Sequence, residues 1–178
     1  MTGEVLFTAD PHLGHTLVSG LRGFSTVEEH DSWIAQRWIE RVKSDDQIWV
    51  LGDLTLGNLT NAFSLLSSLP GKKHIVFGNH DVGHPMHRNS NRKQRAYLEV
   101  FESVQPFARR KMNGRDVLLS HFPYSGDSKE TDRHTQWRLP NQGAWLLHGH
   151  THQSKPMTEA EFVRIGGEAN RLPTTAQR

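Results

Sequence analysis

Five short apolar runs in this chain each end in residues able to bind a cation or move a proton. Val5-Leu6-Phe7-Thr8-Ala9 leads into Asp10-Pro11-His12, and Ile48-Trp49-Val50-Leu51 into Gly52-Asp53. Ile75-Val76-Phe77 precedes Gly78-Asn79-His80-Asp81, Val117-Leu118-Leu119 precedes Ser120-His121, and Trp145-Leu146-Leu147 leads to His148-Gly149-His150-Thr151-His152. Taken singly, Asp-x-His and Gly-Asp are ordinary turn residues. Two histidines two apart after a buried run say more, because burying imidazoles with no ligand costs desolvation energy. Carboxylate, imidazole and carboxamide donors without a thiolate suit borderline divalent ions (Mn, Fe, Zn, Ni or Co) better than calcium, which prefers all-oxygen shells. Two such ions about 3.5 to 4 Å apart clamp a phosphate, lower the pKa of a water and stabilise entering and leaving oxygens. A histidine beside that clamp can serve as general acid.

The elements that must carry these groups follow from the pattern between them. Continuous rather than alternating apolar runs predict strands covered on both faces. Thr26-Val27-Glu28-Glu29 is a capping-box pattern, and Ile34, Trp38 and Val42 then share one helical face up to a stop near Ser44-Asp45. Ala62, Leu65, Leu66 and Leu69 predict a second helix, ended by Pro70-Gly71, and Tyr97, Val100, Phe101 and Val104 a third. Met112-Asn113-Gly114-Arg115 reads as a hairpin turn, so the sheet should be mixed and the class α/β. In open α/β sheets, binding sites form outside the carboxyl ends of the strands. Every polar pair above lies at such an end, so these residues should converge on one edge.

Together and in this order, Asp-x-His, Gly-Asp, Gly-Asn-His-Asp, a lone His after a strand, and Gly-His-x-His resemble the signature of calcineurin-like metallophosphoesterases, over residues 10–152. The resemblance implies a two-sheet mixed β sandwich flanked by helices, an α+β variant of the α/β reading. It also implies that Asp10, His12, Asp53 and His152 hold one metal, and that Asp53, Asn79, His121 and His150 hold another, with Asp53 bridging. By the same resemblance His80 is the catalytic histidine that contacts the phosphate and protonates the leaving group. Manganese is the favoured ion. The expected activity is a metal-dependent phosphodiesterase acting on small phosphodiesters, cyclic nucleotides among them, by similarity to small single-domain relatives. A nuclease or phosphomonoesterase on the same site is the alternative, and a catalytically silent protein-interaction scaffold is the alternative of another class. Retention of His80 and of all seven ligand positions argues against the scaffold. Leu54-Thr55-Leu56-Gly57-Asn58 after Asp53 lacks the acidic or arginine residues frequent in phosphoprotein members, which weakens a protein-phosphatase reading.

Other residues carry weaker signals. His15 could lean toward the site. The stretch from Phe122 to Pro140-Asn141 is a candidate substrate loop on its length, with Arg133 and His134 as possible leaving-group contacts and Trp137 as a surface that could stack a base. The segment from His84 to Arg95 reads as a solvated basic helix face. Trp33, Trp38, Trp49 and Trp145 read as core. With 178 residues, 35% hydrophobic and 22% charged, the chain should form one domain over 1–165, followed by a fraying tail over 166–178. A formal charge of +2, from 21 basic and 19 acidic residues, does not by itself imply nucleic-acid binding, whereas 12 histidines are many. Without cysteine, a leader pattern or an apolar run of membrane-spanning length, a cytoplasmic location is expected, with no membrane association. The expected partner is a small phosphodiester or nucleotide substrate; nucleic acid is less favoured and no obligatory protein partner is indicated.

Overall fold

The computed structural model describes residues 3–152 and the backbone of residues 175–177. Four strands, β1 (Val5–Thr8), β2 (Gln47–Val50), β3 (Lys72–Val76) and β4 (Ser103–Gln105), form a parallel sheet in the order β1-β2-β3-β4. A second sheet, in the order β5-β6-β7-β8, is mixed and is built from β5 (Phe107–Met112), β6 (Arg115–Ser120), β7 (Trp145–His148) and β8 (Thr175–Gln177). Only β6 and β7 run parallel there; β5 pairs β6, and β8 pairs β7, in antiparallel fashion. The fold is thus the expected two-sheet mixed α/β architecture. Its helices are α1 (Thr16–Leu21), α2 (Val27–Arg41), α3 (Leu59–Ser68) and α4 (Ser90–Tyr97).

Alternate residues along β1, β2 and β3 and just beyond them enter two different cores. Leu6, Ile48, Val50, Ile75 and Phe77 face the helices and pack with Trp38, Val42, Leu66, Tyr97 and Phe101. Phe7, Trp49, Leu51 and Val76 face the second sheet and meet Val117, Leu119 and Leu147. Strands buried on both faces have no polar side to show, which is why their sequences are continuous apolar runs.

Local signals act much as the sequence suggests. Thr26 Oγ1 accepts the Glu29 N–H at 3.1 Å, while the Glu29 carboxylate reaches back to the Ser25 N–H at 3.0 Å. Asn113 and Gly114 both take positive φ, at 45° and 79°, the conformation a two-residue β5–β6 hairpin requires. Three expectations need correction. The helix expected to include Tyr97, Val100, Phe101 and Val104 instead spans Ser90–Tyr97, and Val104 lies in β4, because pairing with Ile75 claims it for the sheet. Trp33 is 51% exposed and lies against Phe24 and Arg37 rather than in the core. Within the expected tail, Thr175–Gln177 forms β8 beside Leu146 to His148; the remainder of 166–178 lies outside the described residues. Among the described residues, no helix is long and apolar enough to cross a membrane.

Candidate metal centre

The loops leaving β1 and β2 run side by side. Asp10, His12 and Leu13 donate their N–H groups to the carbonyls of Gly52, Asp53 and Leu54 at 3.1, 3.1 and 2.9 Å. This pairing lays the side chains of Asp10 and His12 alongside Asp53. Asp10, His12, Asp53 and His152 each offer one donor atom, and these four atoms lie within 4.8 Å of one another, a grouping able to hold a metal ion. His12 Nε2 and His152 Nε2 are 3.1 Å apart, and His152 Nε2 is 3.6 Å from Asp10 Oδ1.

A second convergence abuts the first. His121, fully buried, donates from Nδ1 to the Leu51 carbonyl at 2.9 Å, which leaves Nε2 facing inward. That nitrogen lies 3.2 Å from Asn79 Oδ1, 3.2 Å from His150 Nδ1 and 3.5 Å from Asp53 Oδ2. All four atoms are electron-pair donors, so a proton or a cation must lie among them to offset their mutual repulsion. Burial alone would lower the pKa of His121, yet Asp53 and Asp10 beside it raise it, so the pocket draws positive charge. Burial pulls His12 down to about 4 and also lowers His150, so both imidazoles are neutral near pH 7, the form that binds metal. Asp10 keeps its carboxyl below the usual range despite burial, through His152, His121 and His12. Nitrogen and oxygen donors converging in this way fit a divalent transition-metal ion.

The backbone is bent to make these meetings possible. Asp10, His12, Asp53, His150 and His152 all take positive φ, between 47° and 67°. Non-glycine residues rarely adopt that region, and clusters of them mark sites where surrounding structure holds strain for a purpose. The motif glycines permit close approach. A Cβ on Gly149 would lie 2.5 Å from Asp10 Oδ2 and 2.9 Å from Ala9 Cβ.

Several supporting residues lie outside the expected donor sets. Arg22 donates from Nη2 to the Asp10 carbonyl at 2.7 Å and from Nη1 to the Pro11 carbonyl at 3.1 Å. Its Nη1 also meets His30 Nε2 at 2.8 Å, which makes that nitrogen the acceptor and His30 Nδ1 the donor to Asp31 at 2.8 Å. Asp31 in turn accepts the Gly14 N–H at 2.9 Å, so one chain of bonds braces the loop holding Asp10 and His12. Asp81, buried, accepts the N–H groups of Gly78, Asp53 and Leu54 at 2.7, 2.9 and 3.0 Å and locks the β2 and β3 loops together. Burial, then the neighbouring Asp53 charge, pushes its pKa up to about 7. The bridging position of Asp81 between two loops could have been suspected from its motif; Arg22 and His30 gave no such signal.

The remaining expected site residues sit around this centre. His80 is 41% exposed at its side chain, donates its backbone N–H to Asp53 Oδ1 at 2.9 Å and holds Nε2 3.9 Å from Asp53 Oδ2. Burial lowers its pKa, against the opposing pull of Asp53. His15 is half-buried, its ring 5.8 Å from that of His12. His134 lies 5.6 Å from the His150 ring and 5.4 Å from Phe122, while the Arg133 guanidinium is engaged by Asp127 at 2.7 Å. Trp137 packs edge-on to His84 rather than over the metal donors. In the segment expected to be a solvated basic face, Arg88, Arg92, Lys93 and Arg95 are exposed, but His84 is buried and His87 donates to the Asn79 carbonyl at 2.8 Å.

Residues 5–171 match the model of the calcineurin-like phosphoesterase superfamily domain. The chain belongs to this family. As a calcineurin-like phosphoesterase it is a metal-dependent phosphoric ester hydrolase whose candidate site includes Asp10, His12, Asp53 and His152. It is 44% identical over 157 residues to the gene 66 protein of Mycobacterium phage L5, covering 82% of this chain and 76% of that protein. With the gene 66 protein of Mycobacterium phage D29 it shares 39% identity over 177 residues, covering 93% and 88% of the two chains. An uncharacterized protein of Methanocaldococcus jannaschii is 26% identical over 90% of this chain and 75% of its own length. A crystal structure of a protein of unknown function from Aquifex aeolicus shares the phosphoesterase's fold, with a TM-score of 0.59 and 23% identity over 76% of this chain and 68% of that one.

Proposed function

We propose that this phosphoesterase is a two-metal phosphodiesterase acting on small phosphodiesters, cyclic nucleotides among them, with manganese as the favoured ion. The observation that carries the reading is the sharing of Asp53 by two donor sets: Asp10, His12 and His152 on one side, Asn79, His121 and His150 on the other. In this reading two ions would be held, with Asp53 serving both donor sets. The ions would polarise the phosphoryl oxygens and lower the pKa of the attacking water.

The chain's own residues do the rest. Neutral His12 and His150, and the ionised carboxylate of Asp10, present lone pairs from fixed positions, so little reorganisation is needed on binding. His80 stands at the rim, its backbone anchored to the bridging carboxylate and its ring partly open to solvent. From there its ring, once it has taken up a proton from solvent, would pass that proton to the departing oxygen of the ester. Two guanidiniums flanking the cluster are already engaged, Arg22 by the Asp10 and Pro11 carbonyls and Arg133 by Asp127. A diester monoanion needs less compensating positive charge than a monoester dianion, which supports the diester preference.

The test is a comparison of bis(p-nitrophenyl) phosphate, p-nitrophenyl phosphate and cyclic nucleotides with the Mn-loaded protein. The diesters should be turned over with the higher kcat/KM. Preference for the monoester would reject the diesterase reading, and inertness toward all of them with metal bound would favour a scaffold.

A further inference from the structure

We infer that Asp127 is the positioning residue that assembles the Asn79, His121 and His150 half of the metal site, by fixing which nitrogen of His150 faces the ion. The inference rests on the two-metal reading above. Asp127 lies in the polar stretch after β6 and belongs to none of the motifs, yet its side chain is fully buried. Its Oδ2 is 3.0 Å from His150 Nε2 and also accepts the Arg133 N–H at 3.1 Å. Its Oδ1 accepts from Arg133 Nη2 at 2.7 Å, from Ser128 Oγ at 3.2 Å and from the Lys129 N–H at 3.2 Å. The loop therefore folds around one carboxylate.

A loop needing only a turn would not carry that carboxylate inward to a ring 23 residues away. With Oδ2 as acceptor, His150 Nε2 must carry the proton, and Nδ1 is left with its lone pair 3.2 Å from His121 Nε2. A carboxylate behind a ligating imidazole sets tautomer and ring orientation, and its loss typically costs about 10 to 100-fold in metal affinity. The other half has a different brace, since Arg22 supports Asp10 and Pro11 through their carbonyls. The two halves should thus respond to different substitutions.

The experiment is calorimetric titration of Mn into chelator-stripped wild type, Asp127→Asn and Asp132→Asn, with a long-range proton–nitrogen NMR spectrum of the His150 ring. Asp132 pairs with Arg138 in the same loop without a bond to His150, so it controls for loop folding. Wild type and Asp132→Asn should bind two ions alike and show His150 protonated at Nε2. Asp127→Asn should keep one site unchanged, weaken the other about 10 to 100-fold and show mixed tautomers. Two unchanged sites in Asp127→Asn, equal loss of both, or the same defect in Asp132→Asn would overturn the assignment. Should Asp127→Asn fail to fold, Arg133→Gln loosens the same carboxylate and should weaken the same single site by less; unaltered binding there would also overturn it. A wild type that takes up one ion, with His150 still protonated at Nε2, would instead reject the two-metal reading and the inference with it.

Discussion

At the scale of single residues, the proposed chemistry depends on the positions of His80 and Asp53. The one sits at the rim with a half-open ring; the other is buried between two donor sets. His80→Ala should bind Mn as wild type does but lose about 10² to 10⁴ in kcat on a diester with a poor alcohol leaving group. The loss should be much smaller on bis(p-nitrophenyl) phosphate, whose leaving group departs with little help from an acid. Steady-state rates on the two substrates check this, and equal losses on both would remove the acid role. The residues proposed as ligands were legible because each follows an apolar run, and a chain turning off a buried strand must expose its next residues at the sheet edge. Arg22, His30 and Asp127 were not legible. Arg22 meets backbone carbonyls and the His30 ring, and Asp127 the His150 ring 23 residues on, so their meaning exists only once the loops have folded.

At the scale of elements, the site is a pair of zipped loops held from behind. Removing Arg22 leaves the Asp10 and Pro11 carbonyls without that donor, and losing a part-buried hydrogen bond costs about 0.5 to 1.5 kcal/mol. Arg22→Ala should lower urea-unfolding stability by that order and weaken metal uptake, with Arg22→Lys recovering part of both. The glycine after β7 makes a sharper case. Gly149→Ala would drive its methyl into Asp10 Oδ2 and Ala9, so it should abolish tight metal binding by titration calorimetry even if the fold survives. The alternation that buries each strand on two faces made β1, β2, β3, β6 and β7 readable. The three partly exposed residues of β4 gave no strand signal, and the charged β5 was signalled only by the hairpin turn at its end; both become strands by pairing with β3 and β6.

At the scale of the whole molecule, folding and ion binding are linked. A ligand bound to the native state alone at 100 times its Kd adds about 2.7 kcal/mol. For a domain of this size that corresponds to roughly 5 to 10 °C in Tm, so a chelator should lower the melting temperature by that order in a calorimetric scan, reversibly on Mn addition. Acid acts through another group. His84 is buried against Phe122 and Trp137 and accepts the Met86 N–H at Nδ1; burial, then nearby His121, lowers its pKa to about 4. The unfolded chain binds that proton first, so this contribution is complete above pH 6.5 and is lost progressively as pH falls toward 4. Urea unfolding at pH 7 and pH 5 should therefore show a smaller loss on acidification in His84→Gln than in wild type.

In the two-metal proposal, Asp53 joins two ions into one hydrolytic centre. The most direct test is turnover of bis(p-nitrophenyl) phosphate by chelator-stripped protein as Mn is added back in known equivalents, beside an Asp53→Ala control. Activity that stays near zero until the second equivalent, and that the control never regains, is the predicted result. Full activity in the stripped protein, at one equivalent, or in Asp53→Ala would contradict it.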